Sequence, residues 1–225
     1  LLAWKYFQPG PDWSGARSYV LCRGGRIEAH CAVWPLRFQS PQREVSGVCF
    51  VDWASGKTLP GSGILLMKKL LASTEVGVVA GGSDATLAVI PKLGFTHVAD
   101  IEVFARVVRP WKQFRDRPKE GFARDLARLG RNASWAFGSS PQASGWSGRP
   151  VDKFSAMPRS PSFPAFMPLH TAEYLNYWLD VPAAVASGFE LVRDGVTAGC
   201  FLLLRAGHQT RIADLRISST DVADW

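Results

Sequence analysis

The sequence predicts an α+β protein, a mixed central β-sheet flanked by helices, followed by a partial second copy of the same unit. Three observations predict it. Near the start, three strand-like runs rich in β-branched, aromatic and cysteine residues follow one another, with Gly24-Gly25 between the first two. A glycine-rich turn at 54–63 then leads into a stretch with Ile64, Met67 and Leu71 at helical spacing. Finally, the strand pattern returns 170 positions later, Arg193-Asp194-Gly195 falling on Arg23-Gly24-Gly25.

In chain order, 19–23 and 27–38 form the first hairpin and 45–53 the third strand. A helix over 64–73 follows, then a short strand at 75–80 and a Gly81-Gly82 turn. Ser83 is placed to cap a helix over 84–93, which Pro91 should shorten or bend and Gly94 should end. A strand over 96–108 completes a first domain, 1–108. The segment 109–168 reads as a basic and Pro/Ser/Gly-rich linker holding one amphipathic helix, 119–129, with Phe122, Leu126 and Leu129 inward.

The region 169–225 repeats the opening: a helix over 170–180, then strands at 189–193, 197–204 and 210–217. Leu175 and Tyr177 answer Leu2 and Trp4, and Ile212-Ala213-Asp214-Leu215 answers Phe50-Val51-Asp52-Trp53. The chain opens on Leu1-Leu2, and its second copy stops where its own glycine loop would begin, so the sequence is expected to be cut short at both ends.

Of 225 residues, 47% are hydrophobic, enough to bury a substantial core. No apolar run approaches the roughly 18 residues a membrane span needs. Cys22, Cys31, Cys49 and Cys200 sit in apolar stretches without C-x-x-C spacing. That pattern argues against a zinc site or a disulfide scaffold and fits a reducing cytoplasm. The net charge of +7 is uneven: 109–131 holds eight Lys/Arg against three Asp/Glu, a surface suited to a phosphorylated ligand, nucleic acid, an anionic membrane or plain solvent. Asn132-Ala133-Ser134 matches a glycosylation triplet, a pattern common by chance.

The strongest functional feature is Leu59-Pro60-Gly61-Ser62-Gly63-Ile64 between a strand and a helix. Glycines let backbone amides approach a ligand closely, and a helix N-terminus adds free N–H donors and partial positive charge, a combination that binds pyrophosphate. Gly56-Lys57-Thr58 mimics the end of a Walker A loop, but the first glycine would fall at Val51. The G-x-G-x-x-G fingerprint fails because Leu66 stands where its last glycine belongs.

Thr58-x-x-Gly61-x-Gly63, followed by Lys92-Leu93-Gly94-Phe95 before a last strand, resembles the GNAT superfamily of acyl-CoA N-acyltransferases over 18–108 and, more faintly, over 170–217. The resemblance implies that the amides of Leu59 to Ile64 hold the pyrophosphate of acetyl-CoA or another acyl-CoA as cosubstrate. It also implies that strands 45–53 and 75–80 part to admit the pantetheine. Thr58 stands at the usual Gln/Arg position and Ser83 where many members have Asn, while Ile90 and Gly47 replace a frequent tyrosine acid and glutamate base.

For acceptor handling the candidate is Asp52, at the end of the central strand beside the loop and matched by Asp214. A loop-bracing carboxylate is the competing role. His30 in the hairpin, with Trp53, Trp4 and Tyr6 as pocket aromatics, are further candidates beside their packing roles. The expected function is acyl transfer, most simply acetyl transfer, to an amine of a small metabolite or amino sugar, with no metal and with nucleic acid disfavoured as a partner. A Fem-type tRNA-dependent aminoacyl transferase and a non-catalytic acyl-CoA-binding module are the alternatives.

Overall fold

The structure, a computed structural model, describes residues 1–11, 13, 15–116, 118, 120–138, 145–157 and 166–219. They belong to two compact units: Leu1–Thr96 together with Gly145–Trp225, and His97–Ser144.

The first unit opens with a short helix, α1 (Leu2–Tyr6), and an antiparallel meander of β1 (Ser18–Arg23), β2 (Arg26–Gln39) and β3 (Glu44–Ser55). Gly24 and Gly25 take φ of 55° and 76°, the left-handed pair that a two-residue hairpin turn demands. Helix α2 (Ser62–Leu71) then carries the chain back across one face, so β4 (Val76–Val79) joins β3 in parallel and the sheet is mixed. Its buried stripe, Leu66, Met67 and Leu70, packs on Ala29, Cys31, Val33, Val48 and Phe50.

Helix α3 (Asp84–Val89) is capped by Ser83, whose hydroxyl accepts the Thr86 amide. Pro91 acts as its chemistry requires: the α-helix ends at Val89 and the chain continues as a 3-10 turn, Ile90–Leu93, closed by Gly94 at φ 88°.

The strand expected over 96–108 is not formed. Residues 97–108 are irregular, and Val98, Val103 and Phe104 are 85–93% exposed. Alternating apolar residues supply a face, but a strand also needs an edge to bond, and no described strand pairs with this segment.

The second unit contains α4 (Pro110–Asp116) and α5 (Phe122–Phe137). Here the expected burial is met only by Leu129, which is half-buried. Phe122 and Leu126 are exposed, whereas Asp125 and Asn132 are buried. Asn132 donates to Gln113 of α4, and Asp125 accepts the Glu120 amide, so the polar residues have the partners. Periodicity identifies an apolar stripe but not which side of the helix meets a neighbour. Lys119 of the expected helix lies outside the described residues.

The rest of the first unit holds β5 (Trp146–Val151), β6 (Met167–Pro168), α6 (Ala172–Leu179), β7 (Val185–Arg193), β8 (Val196–Ala206) and β9 (Gln209–Ile217). The stretch read as linker therefore contributes two helices and two strands, while 139–144 and 158–165 lie outside the described residues. β6 pairs with β2, and β5, β7, β8 and β9 form an antiparallel four-stranded sheet. The first meander has register shifts after Leu21 and Ala32, and the second has them after Leu191 and Leu202, in both cases 170 positions on. Asp52 stands opposite Ala32, and Asp214 opposite Leu202.

Aromatic packing joins α1 to α6. Trp4 stacks on Tyr177 at 4.9 Å and meets Trp34 and Trp178 at 5.3 and 5.2 Å. Buried Arg17 lies 4.9 Å from the Trp34 ring and donates to the carbonyls of Trp4 and Gln8. The Tyr177 hydroxyl donates to the Trp4 carbonyl at 3.0 Å.

Candidate functional site

The loop between β3 and α2 is built to hold its amides outward. Gly61, at φ 82°, turns the chain into α2, and no side chain caps the helix. The Ser62 amide is used by the Leu59 carbonyl, and the Leu65 amide by that of Gly61. Among the described residues, the amides of Gly61, Gly63 and Ile64 have no hydrogen-bond acceptor. Gly63 has a separate constraint, because a Cβ there would stand 2.6 Å from Trp53 Nε1, so only glycine lets α2 approach β3 this closely.

A buried carboxylate that sequence reasoning missed braces the loop from below. Glu28 of β2 accepts the Thr58 hydroxyl, and its carbonyl accepts the Gly56 amide at 2.7 Å and the Ser62 hydroxyl at 3.0 Å. Arg23 reaches both Glu28 and the Thr58 carbonyl, which sets a cation at the loop's edge. Thr58 therefore points into the protein and leaves ligand contact to the backbone. The isolated glutamate near the start of a strand carried no signal beyond its own charge.

Alongside the loop, β3 offers a second set of free backbone groups. The parallel ladder ends at the Phe50–Val79 pair, although β3 continues to Ser55, so its edge toward β4 is unpaired from Val51 onward. An extended ligand with amide groups could bond there as a strand would. Cys49 sits just before this opening; burial holds its thiol above the usual range, against the bond from the Ala80 amide, so it stays protonated and is a poor nucleophile.

The opposite face of the sheet gathers Lys5, Tyr6, His30 and Asp52. The register shift after Ala32 turns Asp52 onto the face of His30 and away from that of Trp53. Asp52 accepts the Tyr6 hydroxyl at 2.7 Å and pairs with Lys5 Nζ at 2.5 Å. His30 meets the Tyr6 ring edge-on at 5.7 Å, and its Nε2 lies 2.9 Å from the Ser18 hydroxyl. Partial burial pushes the Asp52 carboxyl up, but the Lys5 and Tyr6 bonds outweigh that and hold it below the ordinary value. The bond to Asp52 is likewise the main cause that raises Tyr6 and Lys5.

Of the residues singled out in the sequence, Leu59, Pro60, Gly61, Ser62, Gly63 and Ile64 form one loop, with the Ser62 side chain buried and its hydroxyl bonded inward. Ser83 caps α3, leaving its hydroxyl engaged with Thr86. Trp53 packs beneath Gly63, and Trp4 in the aromatic core. Lys5 and Ser18 went unrecognised because their partners lie 47 and 12 positions away. Among the described residues no group of three or more His, Cys, Asp or Glu is placed to hold a metal, and no helix is long and apolar enough to cross a membrane.

No protein-family model matches the sequence, and no curated protein matches it. Seven chains of solved structures do. One of them is a GCN5-related N-acetyltransferase from Kribbella flavida, 11% identical, with a TM-score of 0.41 over 90% of this chain and 47% of that one. The chain thus spans about half the length of that protein.

Proposed function

We propose that this chain is an acyl-CoA-dependent N-acyltransferase of the GNAT type, transferring an acetyl or related acyl group to an amine of a small metabolite or amino sugar. The observation that carries the reading is the pair of free hydrogen-bonding surfaces at one end of β3: the unpaired amides of Gly61, Gly63 and Ile64, and the open strand edge from Val51. The first suits a pyrophosphate and the second the amides of a pantetheine arm.

In this reading the amine nitrogen attacks the thioester carbonyl directly, the carbon–sulfur bond breaks, and the thiolate leaves with the proton that the nitrogen gives up. Asp52 is proposed to act on the acceptor. Its low basicity suits it to orienting an ammonium, as it already holds that of Lys5, better than to removing a proton, so the acceptor gives its extra proton to water and attacks as the neutral amine. The matched register shifts, with Asp214 in the place of Asp52, support the second meander as a partial repeat of the first. Four free thiols fit a reducing, cytoplasmic setting.

Calorimetric titration with acetyl-CoA tests the reading. Wild type should bind, and Gly61→Val should not, because a β-branched side chain is strained at φ 82° and would occupy the space a phosphate must enter. Equal affinity in a folded Gly61→Val protein removes the site from this loop. Binding without turnover across a panel of amines would favour a non-catalytic acyl-CoA-binding module.

A further inference from the structure

We propose that the first unit holds a second small-molecule site, a cleft in which His170 accepts a hydrogen bond, and then a proton, from an amine or alcohol lying on an apolar floor. The proposal rests on the cleft alone and not on the acyl-CoA reading. The cleft is shallow and open: about 410 Å³ counts its solvent-filled mouth, and the water-sized space within it is about 30 Å³. Trp13, Pro35 and Leu36 supply apolar lining, and Ser46, His170 and Tyr174 line it as well.

The imidazole is held by its backbone, by one ring face and by Nδ1. Its backbone is anchored where β6 pairs with β2 and where the Leu169 amide bonds the Arg37 carbonyl at 2.7 Å. Tyr174 stacks on the ring at 4.5 Å and 21°. Nδ1 is in close contact with the Asp214 carboxylate, whose side chain is only 8% exposed. A carboxylate has no proton to offer, so Nδ1 must carry it. Arg216 also lies 3.0 Å from Nδ1, but if it donated there the Asp214 oxygen would face a bare lone pair. The guanidinium has another acceptor in the Pro168 carbonyl, at 3.1 Å, and stays ion-paired with Asp214 at 3.3 Å without a hydrogen bond from Nε.

In the tautomer with its proton on Nδ1, Nε2 is the ring's acceptor, and among the described residues nothing bonds it. A donor in the cleft would find one free acceptor with its direction set in advance. If the bond becomes a transfer, the proton moves to Nε2, its electron pair stays on the ligand's nitrogen or oxygen, and Asp214 stabilises the imidazolium. Arg37, which also lines the cleft, is paired with Glu44, and Tyr174 is neutral, its hydroxyl raised by burial; Arg216, 3.0 Å from Nδ1, is the cation that works against the transfer, and the Asp214 carboxylate beside both offsets it.

Nuclear magnetic resonance of the full chain labelled with ¹⁵N-histidine provides the test, using three ligands that share one apolar body: phenethylamine, 2-phenylethanol and ethylbenzene. The neutral His170 ring should show its proton on Nδ1. The amine and the alcohol should shift its Nε2 signal and bind roughly tenfold more tightly than ethylbenzene, the worth of one hydrogen bond. In His170→Phe, checked for folding by thermal denaturation, the three should bind alike. A proton found on Nε2, an equal response to ethylbenzene, or no response of His170 to any of the three overturns the proposal.

Discussion

Replacing Gly63 with alanine asks whether the exact seat of α2 decides donor affinity. The added Cβ would stand 2.6 Å from Trp53 Nε1, 3.1 Å from Cε2 of the same ring and 3.2 Å from Ser55 Cβ, where ordinary contact begins at 3.4 Å. Trp53 is packed against the core cluster, so the helix must yield, by roughly 0.8 Å if it alone moves. Overpacking of this kind costs about 1–3 kcal/mol, and the better helix propensity of alanine returns up to about 1 kcal/mol. Stability should therefore fall by about 0–3 kcal/mol, which urea denaturation measures. Binding should suffer more. A bond of about 2.9 Å from Gly63 or Ile64 to a phosphate oxygen would stretch to about 3.7 Å, beyond hydrogen-bond range. Two such bonds at about 1.5–3 kcal/mol each amount to a loss of roughly 100-fold to 10,000-fold in acetyl-CoA affinity by calorimetry. Affinity within threefold of wild type, alongside the expected drop in stability, would show that these amides do not hold the ligand.

Asp52→Asn should lower kcat/KM for an amine roughly a hundredfold through lost orientation of the acceptor while leaving acetyl-CoA affinity unchanged, as steady-state kinetics and calorimetry would show. Its effect on stability has a defined pH window. The folded carboxyl is held below its unfolded value near about 3.9, so its contribution is complete above that pH and fades as pH falls through the folded value. Because Asp52 and Lys5 are each about a third exposed, the pH 7 deficit should be no more than about 1 kcal/mol, and urea curves of the two proteins should converge as pH falls below the folded value. Leu175→Ala removes a fully buried side chain under α6 and should cost about 2–5 kcal/mol in the same assay. Iodoacetamide at pH 8 should label exposed Cys22 and spare Cys31 and Cys200, whose thiols burial pushes up to about 12 and about 11; labelling of all three at one rate would refute the packing of both sheets.

What could be read in advance was whatever local chemistry decides. Gly24-Gly25 and Gly94 mark left-handed backbone, Pro91 stops an α-helix, and Ser83 caps one, and each needs only its neighbours in sequence. Where a partner decides the outcome, the pattern misled or stayed silent. The apolar alternation of 97–108 looks like a strand but has no described edge to join, and α5 buries Asp125 and Asn132 because α4 meets that side. The loop of the candidate site was legible through Gly61 and Gly63. Glu28, Lys5 and His170 were not, since each gains its meaning from a residue far along the chain: Thr58, Asp52 and Asp214.

The stacking of Trp4 on Tyr177 sets a schedule for synthesis. The hydroxyl of Tyr177 and the carbonyl of Trp4 are 173 positions apart, and a five-residue helix such as α1 has little stability of its own. At about 5–20 residues per second, a ribosome takes roughly 9–35 s to make the intervening chain. During that interval Lys5 and Tyr6 lack a firmly seated helix, although Asp52 has already emerged. Any activity that depends on the Asp52 cluster should therefore appear only after α6 is made, and a nascent chain stalled before Tyr177 should lack it even with its glycine loop complete.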